Sequence, residues 1–412
     1  MILRASSKQN DMILRGCIFL LIFVGVFDPA GKILGLKMPA FILCWVVFLC
    51  FYVFNPVKIA RKVHLYIMLS LFIPVLSMWY FEVILGGGQS AAPILIKAHL
   101  FLTIIFILVA ARIDLLPMLS RVLSLLALII IVIKLLIMIF PELISPLREW
   151  GSVNGILLMG DRSYFGNTKF QEIYFVTSPM LIISIAYYSD RAFKSGFFSW
   201  NSFFAFASIL AMILAGTRSN MIAPFLVLGA IMFLNTKNKV IFSAVVIFAL
   251  LVFVSVFYSV IGEVLSLQER SNSSKVSLFW DYADIFSDPV SLFFGQGFGS
   301  YYYWEMRGYY FITELSYLEL IRVYGLIFGA VMAGLILYPM IFVITSRREF
   351  PNRGSVIGFT VYMAMAALNP LIFSSLGMII ISAFMANIFR SREFCEVYIP
   401  NSNHYNNASN LV

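Results

Sequence analysis

The chain has 412 residues, of which 61% are hydrophobic and 12% are charged, and its mean hydropathy is +0.93. A soluble domain is roughly half apolar and about a quarter charged, so this composition excludes an ordinary soluble protein. The net charge of +9 reflects lysines and arginines in the loops between apolar runs, and it does not indicate nucleic-acid binding.

Long apolar runs recur along almost the whole chain. A helix of about 17–25 apolar residues spans roughly 30 Å of hydrocarbon and satisfies its own backbone hydrogen bonds there. The sequence predicts twelve spans, at about residues 12–27, 39–54, 65–85, 94–110, 122–140, 174–188, 197–215, 221–234, 240–260, 314–345, 355–369 and 371–389. We therefore predict an all-α, polytopic membrane protein whose single domain covers residues 1–398. The Asn-rich residues 399–412 are predicted to form a disordered cytoplasmic tail.

Lysine and arginine divide unevenly between alternate loops. If the N-terminus is cytoplasmic, seventeen of these residues fall in cytoplasmic segments, whereas the short outer loops hold Lys32, Lys37 and Arg218. An excess of basic residues on the cytoplasmic side is the usual orientation signal. The pattern predicts that both termini are cytoplasmic and that two long loops, 141–173 and 261–313, lie outside.

Cysteine and histidine indicate no metal site. Cys17, Cys44 and Cys50 lie in predicted spans, and Cys395 lies in the predicted cytoplasmic tail region. The three histidines are scattered, and the chain has no CxxC or HExxH spacing. We expect neither a metal nor a cofactor.

Gly216-Thr217-Arg218-Ser219 forms a short predicted turn between two spans on the outer side. An arginine there opposes the charge bias of the other loops, and charges at the edge of the hydrocarbon are costly and usually functional. Its planar guanidinium matches the geometry of phosphate. Arg218 is therefore a candidate ligand for an anionic group.

The second long loop has an ordered pattern of its own. It opens near Arg270, and Val276, Phe279, Trp280, Ala283 and Phe286 follow at helical spacing until Asp288-Pro289. We expect an amphipathic helix that lies along the outer membrane face or over a cavity. A glycine-rich run at 294–300 and an aromatic cluster at 301–304 come next. The cluster is either an interfacial belt or a surface for stacking sugars.

The following span begins with a group of charged residues. Glu319 and Arg322 are three residues apart and are expected to form a mutual ion pair. Glu314 lies at the outer mouth of the span, with no opposite charge four residues away. A carboxylate in this position is a candidate general base.

The order of these features carries a resemblance. A Thr-Arg-Ser turn precedes a long outer loop with Arg270 and Trp280, then Gly-x-Gly-x-Gly-Ser at 295–300, then Glu314 with Tyr-Leu and Gly-Leu along the next helix. The chain resembles the O-antigen polymerase and O-antigen ligase superfamily of bacterial surface polysaccharide assembly. Its segment 368–378 is similar to the polymerase branch, often called Wzy. The likeness covers roughly the second half of the chain, and the first half matches only in hydropathy.

This resemblance implies a metal-independent glycosyltransferase that joins undecaprenyl-diphosphate-linked oligosaccharides at the outer face of the bacterial inner membrane. It also implies a chain-length regulator of the Wzz type as a partner, in addition to membrane lipids. Arg218 and Arg270 match the two diphosphate-binding arginines of the family. Glu314 stands where the ligase branch has a histidine, so it is implied to be the base, and the substitution argues against a ligase.

Four further residues are implied substrate contacts: Tyr317, Arg322, Arg162 and Arg148. An Arg-x10-Gly spacing associated with some polymerase loops is not found, because Arg148 precedes Gly160 by one residue too many. If Glu314 is not the base, Asp161 and Glu172 of the first outer loop are the next candidates.

Three other functions differ in what they require of the sequence: an O-antigen ligase, a polysaccharide-unit transporter or flippase, and a non-catalytic scaffold. A transporter requires ionisable groups deep in the spans and an internal repeat. Lys97, His99 and Lys134 are such groups, but the two halves of the sequence show no repeat. A scaffold would not require arginines on the outer side.

Overall fold

A computed structural model of the protein describes residues 2–52, 59–88, 90–163, 169–196, 198–256, 270–304, 308–345 and 353–390. The structure is mostly helical, with 77% helix. Within the described ranges, six helical stretches are long and apolar enough to cross a membrane: Asn10–Phe27, Arg61–Ile84, Ala92–Ala110, Leu116–Ile139, Arg218–Asn235 and Ser316–Val343. Four shorter apolar helices accompany them, at Lys37–Phe51, Trp200–Leu214, Lys239–Phe248 and Ser375–Phe389.

The described part of the first half of the chain consists of helices and then a hairpin. The helices are α1 (Ile2–Phe27), α2 (Lys37–Tyr52), α3 (Arg61–Trp79), α4 (Ala92–Leu100), α5 (Ile104–Ala110), α6 (Leu116–Ile139) and α7 (Ile144–Asn154). Strands β1 (Leu157–Ser163) and β2 (Lys169–Phe175) then pair in antiparallel fashion.

The second half continues with α8 (Leu181–Ser195), α9 (Trp200–Leu214), α10 (Arg218–Asn235), α11 (Lys239–Val256), α12 (Arg270–Ile285) and α13 (Pro289–Phe294). A second small hairpin, β3 (Tyr302–Trp304) with β4 (Gly308–Tyr310), precedes α14 (Ser316–Thr345), α15 (Arg353–Ala366) and α16 (Ser375–Phe389).

Each predicted span overlaps a helix, and the number of helices that cross a membrane stays a prediction. One sequence-based boundary was wrong. The span expected to begin at 174 starts only at Leu181, because Lys169–Phe175 is a strand paired with β1. The first long predicted loop, 141–173, contains α7 and this hairpin. The two hairpins are therefore an addition to the predicted all-α fold.

Two helices at the centre of the bundle are buried on every side. The first ten residues of α8, from Leu181 to Asp190, are all buried, and most of α16 is buried as well. A helix with apolar residues all round belongs in the interior of a bundle. Helix α15 approaches α8 closely because it presents two glycines four residues apart, Gly354 and Gly358. Small residues at this spacing allow two helix backbones to come near each other in a membrane.

A first prediction tests this contact. A Cβ atom at Gly358 would lie 2.4 Å from the Cβ atom of Ala186, so Gly358→Val should lower the free energy of unfolding by about 3 kcal/mol through overpacking. Gly334→Val in α14 is the matched control, because a Cβ atom there meets nothing within 4 Å. The midpoints of thermal unfolding in detergent measure both. Equal midpoints for the two variants would contradict this packing of α8 on α15.

Candidate functional site

Helix α12 connects the two groups of residues that the sequence singled out. Asn272 lies in the first turn of α12, and its Oδ1 accepts a hydrogen bond from Nη1 of the Arg218 guanidinium at 2.9 Å. Tyr282 lies in the last turn of α12, and its hydroxyl donates to Glu319 Oε2 at 2.6 Å. Tyr282 follows Asn272 by ten residues, which corresponds to about 15 Å of helix. The Thr-Arg-Ser turn and the start of α14 thus lie at opposite ends of one helix.

The Thr-Arg-Ser turn is the N-terminus of α10. Thr217 is the N-cap, and its side-chain oxygen accepts a hydrogen bond from the backbone N–H of Asn220 at 3.3 Å. Gly216 before it has a φ of +73°, which favours glycine. A Cβ atom at Gly216 would lie 2.6 Å from Glu172 Cβ. The turn therefore packs directly against strand β2.

Arg270 begins α12, two residues before the asparagine that Arg218 contacts. The structure therefore brings the chain at Arg270 close to Arg218, although the rest of α10 and the whole of α11 lie between them in sequence. Neither this contact nor the packing of the turn on β2 could be predicted from local patterns, because the partners are distant in sequence.

The expected helix in the second long loop is confirmed as α12, and Asp288 caps the helix that follows it. The Asp288 side chain accepts hydrogen bonds from the backbone N–H groups of Val290 and Ser291. The predicted apolar stripe of α12 is on its exposed face, where Phe279 is 52% and Trp280 65% exposed. The buried face carries Leu278 and Tyr282, which pack with Tyr302 and Trp304 of β3.

The predicted ion pair between Glu319 and Arg322 is confirmed, and it is fully buried. Arg322 Nη2 lies 2.7 Å from Glu319 Oε1, and Nε donates to Oε2 at 3.0 Å. The remaining guanidinium N–H groups reach Gln296 Oε1 at 3.0 Å, Ser300 Oγ at 2.9 Å and the Ser300 carbonyl at 3.3 Å. All five N–H donors of the arginine are thus engaged. This arrangement favours a structural role for Arg322 over the implied substrate contact.

Tyr282 adds a neutral donor to this network. Its hydroxyl lies 2.5 Å from Thr313 Oγ1 as well as donating to Glu319. Burial, and then the negative charge of Glu319, raise the pKa of the Tyr282 hydroxyl well above its ordinary value. The phenol therefore stays protonated and continues to donate. Thr313 immediately precedes Glu314, so the network fixes the chain next to the predicted base.

Helix α14 is broken at Gly325, whose φ of 73° and ψ of 170° are not helical. The glycine-rich run satisfies the carbonyls that the break leaves. The backbone N–H of Gln296 donates to the Arg322 carbonyl at 2.6 Å, and that of Gly297 donates to the Val323 carbonyl at 3.1 Å. Irregular backbone at membrane depth is tolerated where protein covers it in this way. The predicted span at 314–345 is thus a helix that begins at Ser316 and has a break at Gly325.

Close contact explains the glycines on both sides of this break. A Cβ atom at Gly295 would lie 2.5 Å from the Gly325 nitrogen, and one at Gly325 would lie 2.2 Å from the Phe293 carbonyl oxygen. The alternating glycines allow two backbones to touch. The glycines at 294–300 and Gly325 are visible in the sequence, but only the structure shows that they allow the two segments to touch.

The other predicted site residues are Glu314, Tyr317, Arg148 and Arg162. Glu314 is half-buried just before α14, and the Tyr317 hydroxyl donates to the Met363 carbonyl on α15 at 3.0 Å. Arg148 is exposed on α7, and Arg162 lies on β1 in register with Phe170 of β2. No group of three or more His, Cys, Asp or Glu residues that could hold a metal ion occurs in the described ranges.

Comparison with known proteins gives no match: no protein-family model and no curated protein matches this chain.

A second prediction concerns the buried network. Glu319→Gln leaves the positive charge of Arg322 buried without its counter-charge, so the free energy of unfolding should fall by about 3–5 kcal/mol. The matched control is Glu149→Gln on the exposed surface of α7, which should have little effect. The amount of monodisperse protein and its thermal midpoint in detergent measure the difference. A Glu319→Gln protein as stable as the control would show that this pair does not hold α14.

Proposed function

We propose that the protein polymerises undecaprenyl-diphosphate-linked oligosaccharide repeat units into O-antigen or a related surface polysaccharide. The reaction would take place at the outer face of the bacterial inner membrane, with both termini of the chain in the cytoplasm. The observation that supports it best is the contact between Arg218 and Asn272. This contact joins an arginine in a tight turn to the start of α12, which begins with Arg270. The chain is also rich in helices that are compatible with a membrane.

The chemistry requires cations at the leaving group. An acceptor hydroxyl of one glycan attacks the anomeric carbon of another, a new glycosidic C–O bond forms, and the C–O bond to the lipid diphosphate breaks. Negative charge then develops on the departing phosphate oxygen. Without a metal, guanidinium groups neutralise this charge through paired N–H donors. In this proposal Arg218 and Arg270 have that role.

The hydroxyl proton must leave the acceptor, and Glu314 is the proposed base. It follows Thr313, which the network with Tyr282 and Glu319 holds in place. A base must lie within hydrogen-bond reach of the hydroxyl that attacks the anomeric carbon, and that carbon is bonded to the diphosphate. In this proposal the diphosphate, the anomeric carbon and the acceptor hydroxyl therefore lie together beside α12, between the Arg218 turn and Glu314.

The partners follow from this activity: a lipid-linked donor and acceptor, a chain-length regulator of the Wzz type and membrane lipids. No metal or other cofactor takes part. A ligase would use the same diphosphate chemistry but would transfer the glycan to lipid A-core. A transporter would move repeat units across the membrane without joining them. Analysis of the products distinguishes these three activities.

A third prediction concerns the two arginines. Arg218→Lys and Arg270→Lys keep the charge but lose the planar, bidentate donor geometry, so each should lose most of its polymerising activity. Arg61→Lys, on the exposed surface at the start of α3, is the matched control and should retain activity. Purified variants in proteoliposomes receive lipid-linked repeat units, and a gel displays the product ladder. Normal ladders from both lysine variants would mean that the arginines have only a structural role.

A fourth prediction concerns Glu314. A positioned general base contributes about 10²–10⁴-fold in rate, so Glu314→Gln should lower kcat by that order while the KM for the lipid-linked donor stays nearly constant. The thermal midpoint should match that of the unsubstituted protein, which separates this variant from Glu319→Gln. Full activity of Glu314→Gln would assign the base to another residue, and Asp161 and Glu172 would be tested next.

The same assay separates the alternatives. Single repeat units joined to a lipid A-core acceptor, with no ladder, would indicate a ligase. Repeat units that cross the membrane and remain unjoined would indicate a transporter.

A further inference from the structure

Lys134 is a charged residue within one of the most apolar helices of the protein. It lies on α6 five residues before the end at Ile139, inside the candidate span Leu116–Ile139, whose mean hydropathy is 3.2. Five residues of helix correspond to about 7.5 Å. An ionisable group at such a position is costly, and it usually marks a functional site.

The contacts of Lys134 satisfy its ammonium group only weakly. Nζ lies 3.4 Å from the Gln171 carbonyl oxygen and 3.4 Å from Gln171 Oε1, and it lies 5.9 Å from the centre of the Phe170 ring. Both hydrogen bonds are longer than the usual range for N–H···O. Asp161, which pairs with Gln171 across the hairpin, acts on Lys134 through its charge. No carboxylate of the described residues forms a salt bridge with Nζ.

Strand β2 places this lysine beside the Thr-Arg-Ser turn. Phe170 and Gln171 contact Lys134, while Phe170 and Glu172 pack against Gly216, two residues before Arg218. Residues 170–172 of β2 thus contact both Lys134 and the turn that carries Arg218, and α12 begins next to Arg218.

We propose that Lys134 is a third cation of the site and binds the diphosphate of the lipid-linked substrate together with Arg218. This inference rests on the proposed function. An ammonium group on a flexible four-carbon stem can exchange two long contacts with carbonyl oxygens for a charge-assisted contact with a phosphate oxygen. Its depth in α6 fits a phosphate whose isoprenoid chain extends into the hydrocarbon. A phosphate that is free in water would have to enter an apolar environment to reach it.

The test measures binding of short isoprenoid probes to the full-length protein in phosphatidylcholine nanodiscs. Farnesyl diphosphate is the probe, and farnesol, which lacks phosphate, shows the contribution of the chain. Lys134→Gln should weaken binding of farnesyl diphosphate about 10-fold or more, because it removes a charge-assisted hydrogen bond. Binding of farnesol should not change. Lys97→Gln in α4 is the matched control, since it removes another lysine from an apolar helix.

Two further variants address folding and charge. Lys134→Arg should bind farnesyl diphosphate within about 3-fold of the unsubstituted protein, since a cation remains. Gln171→Leu removes the side-chain oxygen that competes for the ammonium, so it should retain or strengthen binding. If Lys134→Gln does not fold, these two variants still test the inference. Binding of farnesyl diphosphate by both would support it, and loss of binding in both would overturn it.

The outcomes separate this inference from the proposed function. If the unsubstituted protein binds farnesyl diphosphate and polymerises repeat units, but Lys134→Gln binds as tightly, the inference is wrong and the proposed function stands. If the unsubstituted protein neither binds the probe nor polymerises, the proposed function fails and the inference fails with it. Anionic phosphatidylglycerol in the nanodiscs tests the other source of phosphate. Displacement of the probe by that lipid alone would assign Lys134 to general headgroup binding and overturn the substrate assignment.

Discussion

The buried guanidinium of Arg322 is the constraint on which the rest of this region depends. A charge taken out of water is costly, and the cost is offset only where the geometry is good and every donor is satisfied. Arg322 meets both conditions through Glu319, Gln296 and Ser300. Its guanidinium also lies 4.9 Å from the centre of the Tyr302 ring, a cation–π contact. One side chain thereby fixes the glycine-rich run and the second hairpin to the start of α14.

The break in α14 follows from this arrangement. Because Arg322 draws the glycine-rich run onto the helix, the N–H groups of Gln296 and Gly297 reach the carbonyls next to Gly325. The Ser77 hydroxyl of α3 also donates to the Val323 carbonyl at 2.9 Å. The backbone N–H groups of Gln296 and Gly297 are thus engaged by the broken helix. The anion-binding role in our proposal belongs to the other end of α12.

Helix α12 gives the proposed site its dimensions. Its N-terminal end is tied to Arg218, and its C-terminal half is tied to Glu319 through Tyr282. A rigid helix between a diphosphate site and a base would hold donor and acceptor in a fixed relation, which is how an enzyme reduces the entropy cost of bringing two reactants together. Its exposed apolar face, with Phe279 and Trp280, is available to the membrane interface or to a glycan.

The sequence by itself determined the features that depend on local rules. Apolar runs predicted the helices, a spacing of three residues predicted the pair of Glu319 and Arg322, and the amphipathic pattern predicted α12. Only the tertiary structure decided the β1–β2 hairpin, the break at Gly325, and the contacts of Arg218 with Asn272 and of Lys134 with Gln171. These features depend on partners far apart in the chain, such as Arg218 and Asn272, which are separated by 54 positions. Periodicity and charge along a sequence report on neighbours in the same helix, whereas long-range contacts form only when separate elements pack together.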